Sequence, residues 1–460
     1  MNLRNILTFL IAFHVVGFTE ASLAGAAPGS DGGGTGSNAH NELSQKILQD
    51  ERMDEVLQMG YELLKSGLNA GSRYDQVWIR DLNTFIVPLL EVAPQQPVRE
   101  ALLVFLHFQG EDGDIVDGYV PTANARKRKY KRVYRYTPTR PDLKAHKNTV
   151  ETDQESSLVQ AFCLYIQQTK DTSILDEVVR GIPVRKRLEM ALTYPLKYRF
   201  SERYGLVWGA TTMDWGDIQP EHPKGVEFDE NSHRAINIYN NALLMIAIEE
   251  YVETLGAENT ALKIEWEGIH KNLHRSVREH LWDDASQKFI PHIYLEGSPF
   301  PKDFDEGKIF YHGGTAVAIE AGLLNSDEIA ASLKKMRENV EQAGAATIGL
   351  TLYPIYPEGF FQSKSMVPWN YMNGGDWTWF GARMVRQLAR HGFADEALLE
   401  LEPMMERVLE HHGFFEWWTR DNEPRGAGQF KGSAGVLMES ILELRKWAKE
   451  RAEQHDIKSD

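Results

Sequence analysis

From about residue 41 onward the chain is a succession of long stretches with apolar residues at helical spacing, and alternating strand patterns of useful length are almost absent. The helical stretches fall near 41–68, 81–92, 96–109, 151–170, 173–198, 232–255, 258–282, 313–322, 326–343, 377–391, 394–412 and 433–453. Twelve helices make six hairpins. Their connections alternate between short turns and long loops, near 71–80, 110–150, 201–231, 283–312, 344–376 and 413–432, which are full of Trp, Tyr, Gly and Asp. A superhelical array has short, similar connections at a fixed period, so the pattern predicts an all-α fold, an (α/α)6 barrel with its long loops on one face. Gly256 follows one helix and Asp395 lies near the start of another, while Gly392 and Gly413 stand where a left-handed residue is expected to end a helix.

With 42% hydrophobic and 25% charged residues the chain is able to bury a core, which excludes a disordered protein and a membrane bundle. A formal charge of −16 speaks against nucleic acid as a partner. The one cysteine, Cys163, lies in the apolar stretch SSLVQAFCLYI and is expected in the core, so the fold has no intrachain disulfide and no thiolate metal site. No metal or cofactor is expected. At the N-terminus, Arg4 precedes an apolar run from Ile6 to Phe18, and Ser22 and Ala24 suit a cleavage site. Those 13 residues fall short of the roughly 20 that span a bilayer. Residues 1–24 therefore read as a signal peptide, 25–40 as a flexible Gly/Ser/Ala linker and 41–460 as one catalytic domain, secreted or periplasmic and without a membrane span.

Four loops carry the candidate chemistry. In YDQVWIRD, Trp78, Arg80 and Asp81 put an indole, a guanidinium and a carboxylate together, the mixture that grips sugar hydroxyls and C–H faces; Asp81 as a simple helix cap is the alternative. In GLVWGATTMDWGD, Asp214 and Asp217 flank Trp215, where loss of solvation raises a carboxyl and keeps it protonated as a general acid must be. Asp214 is the first candidate for that acid and Asp217 the second. In WNYMNGGDWTWFGARM, Trp369, Trp377 and Asp376 are candidate substrate contacts, as are Trp215 in the preceding loop and Trp417 in the next, with helix capping as the competing role for Asp376. In GFFEWWTRDNEPRGAGQF, Glu416 is wedged between aromatics beside Trp417, a costly place for a carboxylate that has no use, and it is the candidate general base.

These loops resemble those of the six-hairpin glycosidases, a superfamily that includes glucoamylases, neutral/alkaline invertases and the cellobiose-phosphorylase group. YDQVWIRD is similar to their W-x-R-D loops, which implies that Arg80 and Asp81 bind the sugar at the −1 subsite. The MDWGD stretch implies a catalytic acid at Asp214 or Asp217, and the last loop implies the base at Glu416. NGGDW is similar to the N-G-G-x-x-W loop of the phosphorylases and invertases. The resemblance implies an inverting hydrolase of an oligosaccharide or polysaccharide, whose carboxyl groups stand about 6.5–9.5 Å apart with water between them. The rivals are a phosphorylase, for which His312, His411 and His412 are candidate phosphate contacts, a lyase or epimerase of anionic sugars, and a non-catalytic binding protein. One feature belongs to neither motif set: Arg126 to Lys147 holds ten Lys/Arg interleaved with tyrosines, which raises an anionic substrate as an alternative to a solvated charged face.

Overall fold

The first helical stretch is broken by Asp50, whose carboxylate accepts the backbone N–H of Arg52 at 3.0 Å and starts a new helix there. What reads as one helix over 41–68 is therefore two, α1 (Thr35–Leu48) and α2 (Glu51–Leu64). In the computed structural model the described residues are 35–124, 133–223, 226–256 and 259–459. The expected signal peptide lies outside them, and α1 begins inside the segment read as linker. The remaining helices are α3 (Ile79–Val92), α4 (Gln95–His107), α5 (Gln154–Thr169), α6 (Val184–Tyr198), α7 (Ile238–Thr254), α8 (Thr260–His280), α9 (His312–Glu320), α10 (Ser326–Ala343), α11 (Thr378–Arg390), α12 (Ala394–Glu410) and α13 (Lys431–Ser459).

Two kinds of helix alternate. On α8 only Trp266, Leu273 and Val277 are buried, a stripe that faces one neighbour. By contrast α7 is buried on nearly every side, from Ile238 through Ile248 without a break. Such helices form the inner ring: α3 packs on α5, α5 on α7, α7 on α9, α9 on α11, α11 on α13, and α13 returns to α3. The outer helices α2, α4, α6, α8, α10 and α12 each precede an inner one, and α1 lies along α13. Because every inner helix follows an antiparallel outer one, all six inner N-termini open at one mouth, where the long loops lie. This is the all-α (α/α)6 barrel.

Several local expectations are corrected. Within 173–198 the helix starts only at Val184, because Val178–Val179 and Ile182–Pro183 form a hairpin around Arg180 and Gly181, both at positive φ. Residues Arg234–Ile236 form a strand between Gly209–Ala210 and Ile293–Tyr294 before α7 begins. Gly392 is left-handed as expected, but after α12 the left-handed residue is His412 (φ 50°) and not Gly413. Cys163 is fully buried on α5. Among the described residues no helix is long and apolar enough to cross a membrane.

The ring closes where α13 meets α3, and the backbones touch there. A Cβ at Gly435 would fall 2.5 Å from the Cβ of Phe85 and 2.6 Å from the carbonyl oxygen of Thr84. Gly435→Ala is expected to cost about 1–3 kcal/mol through overpacking. Gly268→Ala on α8, where a Cβ would meet nothing, is expected to stabilise by up to about 1 kcal/mol. Urea midpoints of the two variants check this, and equal shifts would mean that the closure is not tight.

Candidate active site

Asp214 sits in the loop between α6 and α7 with a left-handed backbone (φ 49°) and no exposed surface. One carboxylate oxygen accepts the N–H of Gly313 and the other the N–H of Gly314, each at 2.8 Å, in the first turn of α9. Those glycines are required, since a Cβ would stand 2.8 Å and 2.7 Å from the same oxygens. Burial presses the Asp214 carboxyl upward and the two amides oppose it. With both oxygens engaged by backbone donors, Asp214 is a clamp between loop and helix and not the acid expected first. Trp215 is corrected too. It is buried against Phe380 (ring centroids 4.2 Å apart), with Trp377 and Trp379 at its edges, and forms core beneath the site.

Three residues beyond Asp214 the loop surfaces. Asp217 is half-buried, and its negative charge acts on Glu416, Tyr74, Tyr371 and Glu151, which places it among them. Glu416 lies on the strand Phe415–Trp418, paired with Pro424–Gly428. Its Oε1 accepts the Tyr74 hydroxyl at 2.7 Å and its Oε2 the N–H of Ala427 at 2.7 Å. Gly426 (φ 73°) makes the seat, because a Cβ there would lie 2.5 Å from that second oxygen. Burial raises the Glu416 carboxyl, the two hydrogen bonds lower it, and the charge of Asp217 raises it again. Tyr74 was present in the first motif but carried no signal of its own, since its partner is 342 residues away.

Arg80 turns away from Asp81 into an acidic nest. Its guanidinium pairs with Glu151 and reaches Asp117 and Asp153 at 3.4 Å each. Asp153 in turn accepts the Tyr239 hydroxyl at 3.3 Å, and Asp117 meets His146 at 3.1 Å. Glu151 and Asp153, from the ETDQ segment that leads into α5, thus hold the Arg80 guanidinium in place. Asp81 is buried and caps nothing: the residue at the cap of α3 is Trp78, without a side-chain bond. Its Oδ1 is a buried acceptor with no hydrogen-bond partner. Burial pushes the Asp81 carboxyl up to about 8, with Arg80 opposing and Asp117 and Glu416 adding to the rise.

The aromatic candidates divide. Trp78 is half-buried, tilted on Tyr74 at 4.4 Å, and Trp369 is half-buried with Arg420 over its ring at 4.9 Å. Trp377 and Trp417 are buried, Trp377 giving its indole N–H to the carbonyl of Tyr371 at 3.1 Å, so they pack rather than present a face. Asp376 neither caps α11 nor reaches the mouth. It is fully buried, accepts the N–H and hydroxyl of Thr347 at 3.0 and 2.9 Å, and pairs with Arg407 at 3.0 Å. His312 is buried between the carbonyl of Ile348 and Asn339, each at 3.1 Å, away from any phosphate role. Of the basic run, Arg126, Arg128, Lys129 and Arg132 lie outside the described residues. The described members are engaged: Arg135 with Asp114, Arg140 with Asp142, Lys147 with Glu155, and Lys144 with the carbonyls of Thr122 and Asn124.

The ring of inner helices has counterparts among solved structures. A GH63 mannosylglycerate hydrolase from Thermus thermophilus, in complex with glucose, matches with a TM-score of 0.58 at 15% identity, covering 84% of this chain and 99% of that one. The chain shares the (α/α)6 fold of that structure. The same hydrolase with Tris and D-glycerate matches equally, at a TM-score of 0.58 and 15% identity over 84% of this chain and 99% of that one. A rhamnosidase from Klebsiella oxytoca with rhamnose bound matches at 0.56 and 12% identity, over 86% of this chain and 64% of that chain. No family model matches the sequence, and no curated protein matches it either.

Two expectations follow. Asp214→Ala strands two buried amides and should lower stability by about 2–5 kcal/mol, read as a loss of the folded baseline in thermal melts. A fully stable, inactive Asp214→Ala protein would return it to catalysis. For Asp81 the raised carboxyl means that between about pH 4 and 8 the folded state holds a proton the unfolded chain has released. Stability therefore falls as pH rises through that window. Asp81→Asn should flatten that decline in urea titrations at pH 5, 6.5 and 8, and an unchanged slope would mean that Asp81 ionises normally.

Proposed function

We propose that this protein is an exported glycoside hydrolase that works with inversion, with Asp217 as general acid and Glu416 as general base. The observation that carries the reading is that these two carboxylates, from loops about 200 residues apart, meet in one electrostatic environment at the mouth of the barrel. Asp217 is the one open enough to reach a leaving oxygen. Glu416 is aimed by Tyr74 and Ala427, which leaves each of its oxygens a lone pair for a water. The buried acceptor on Asp81 suits a sugar hydroxyl, and a hydrogen bond that strengthens in the transition state accelerates turnover. Trp78 and Trp369 supply the faces on which C–H surface stacks.

The solved neighbours, by their names, act on a mannosylglycerate and a rhamnoside. Mannosides, rhamnosides and glycosides of small acids are therefore the first substrates to try, and the last of these covers the anionic alternative. Export rests on the apolar run Ile6 to Phe18 and the small residues after it.

Proton NMR of the first-formed sugar decides the stereochemistry. Inversion gives the anomer opposite to the substrate, and the same anomer would overturn the two-carboxylate water mechanism. Asp217→Asn and Glu416→Gln should each lower kcat by about 10²–10⁴-fold with melting temperatures close to the parent. Release of a sugar phosphate in phosphate buffer would replace hydrolysis by phosphorolysis. Asp81→Asn should cost kcat/KM up to about tenfold, the worth of one hydrogen bond between neutral groups.

A further inference from the structure

The opposite mouth of the barrel, at the C-terminal ends of the inner helices, holds a second cavity of about 440 Å³. Its lining comes from α3, α5, α7, α9, α11 and α13 and includes none of the carboxylates already described. At its floor stand three carboxylates, Glu250, Glu320 and Glu439, and two guanidinium groups, Arg383 and Arg386. The arginines are committed: Arg386 pairs with both Glu320 and Glu439, and Arg383 Nε lies 2.7 Å from Glu320. Glu250 is left over. Its Oε2 is buried with no hydrogen-bond partner, and the side chain makes no ion pair.

A second uncommitted acceptor lines the same cavity. Asn83 is only 6% exposed; its amide nitrogen donates to Gln160 at 3.0 Å, while its Oδ1 has no partner. Arg390 and Lys446, also in the lining, stand beside Glu443, so six carboxylates face four cations across the cavity and the surplus is negative. A buried carboxylate without compensation is costly, and burial with the neighbouring Glu320 pushes Glu250 well above the usual carboxylate range. Helix C-termini around the rim add partial negative charge. Among the described residues no group of three or more His, Cys, Asp or Glu is arranged to hold a metal ion. Exposed carboxylates of Glu253 and Glu91 stand at the entrance.

We infer that this rear cavity binds a linear aliphatic diamine, with one ammonium between Glu250 and Asn83 and the other at the rim beside Glu253. The inference is independent of the hydrolase reading, since it uses none of the residues at the loop face. Isothermal titration of the full chain with 1,4-diaminobutane and with butylamine tests it, with 1,4-butanediol and magnesium and calcium chlorides as controls. Both amines are expected to bind one per chain, the diamine several-fold more tightly, and the diol not at all. Glu250→Gln, which keeps the shape and removes the charge, should weaken both amines at least tenfold. Should that variant fail to fold, Glu253→Gln at the exposed rim still decides: it should bring the diamine down to the affinity of butylamine and leave butylamine unchanged. Absence of amine binding, equal binding by the folded Glu250→Gln protein, a diamine affinity untouched by Glu253→Gln, or a heat signal from the divalent cations in place of the amines would each overturn the assignment.

Discussion

Everything at the loop face depends on a backbone contact on the far side of the chain's history, the seating of α13 against α3 at Gly435 and Phe85. Six inner helices share one direction only because an outer helix reverses the chain between each pair, and they share one mouth only because the last returns to the first. An open array of the same hairpins would leave Tyr74 and Glu416 at opposite ends. Closure brings them to 2.7 Å.

That geometry also sets the electrostatics. Asp81, Asp117, Glu151, Asp153, Asp217 and Glu416 crowd a region in which Arg80 pairs with Asp117, Glu151 and Asp153 while the charge of Arg73 acts on Glu416. Six inner N-termini point their partial positive charge at the same mouth and offset part of the repulsion. The rest is met by raised carboxyls, as at Asp81 and Glu416, which keeps acceptors and proton donors side by side in a place where both are useful. Asp214 uses the same helix-end physics differently, spending its charge on the amides of Gly313 and Gly314 to hold the loop that carries Asp217.

The helices and the alternation of their loops were legible from periodicity, because inner and outer helices bury such different fractions of their surface. A carboxylate among Phe415, Trp417 and Trp418 has no inexpensive packing role, and Glu416 does lie on the loop face bonded to Tyr74. What escaped were contacts that closure alone creates. Beside one tryptophan the sequence puts Asp214 ahead of Asp217, and the glycine amides that engage Asp214 are about a hundred residues away. Trp215, Trp377 and Trp417 were read as platforms because an indole in a loop looks the same in sequence whether it faces ligand or core. Asp376 misled for the same reason, its partners Thr347 and Arg407 lying on other elements. Short hairpins such as that around Gly181 were lost inside longer helical patterns.

The bond from Tyr74 to Glu416 has a consequence in time. Its two ends are 342 residues apart, so at ~5–20 residues per second a ribosome makes the second roughly 17–70 s after the first. Until then the emerging polypeptide has its aromatic and acidic loops but no oriented carboxylate to work with. The loop face is therefore assembled only in a late step, when the final hairpin docks.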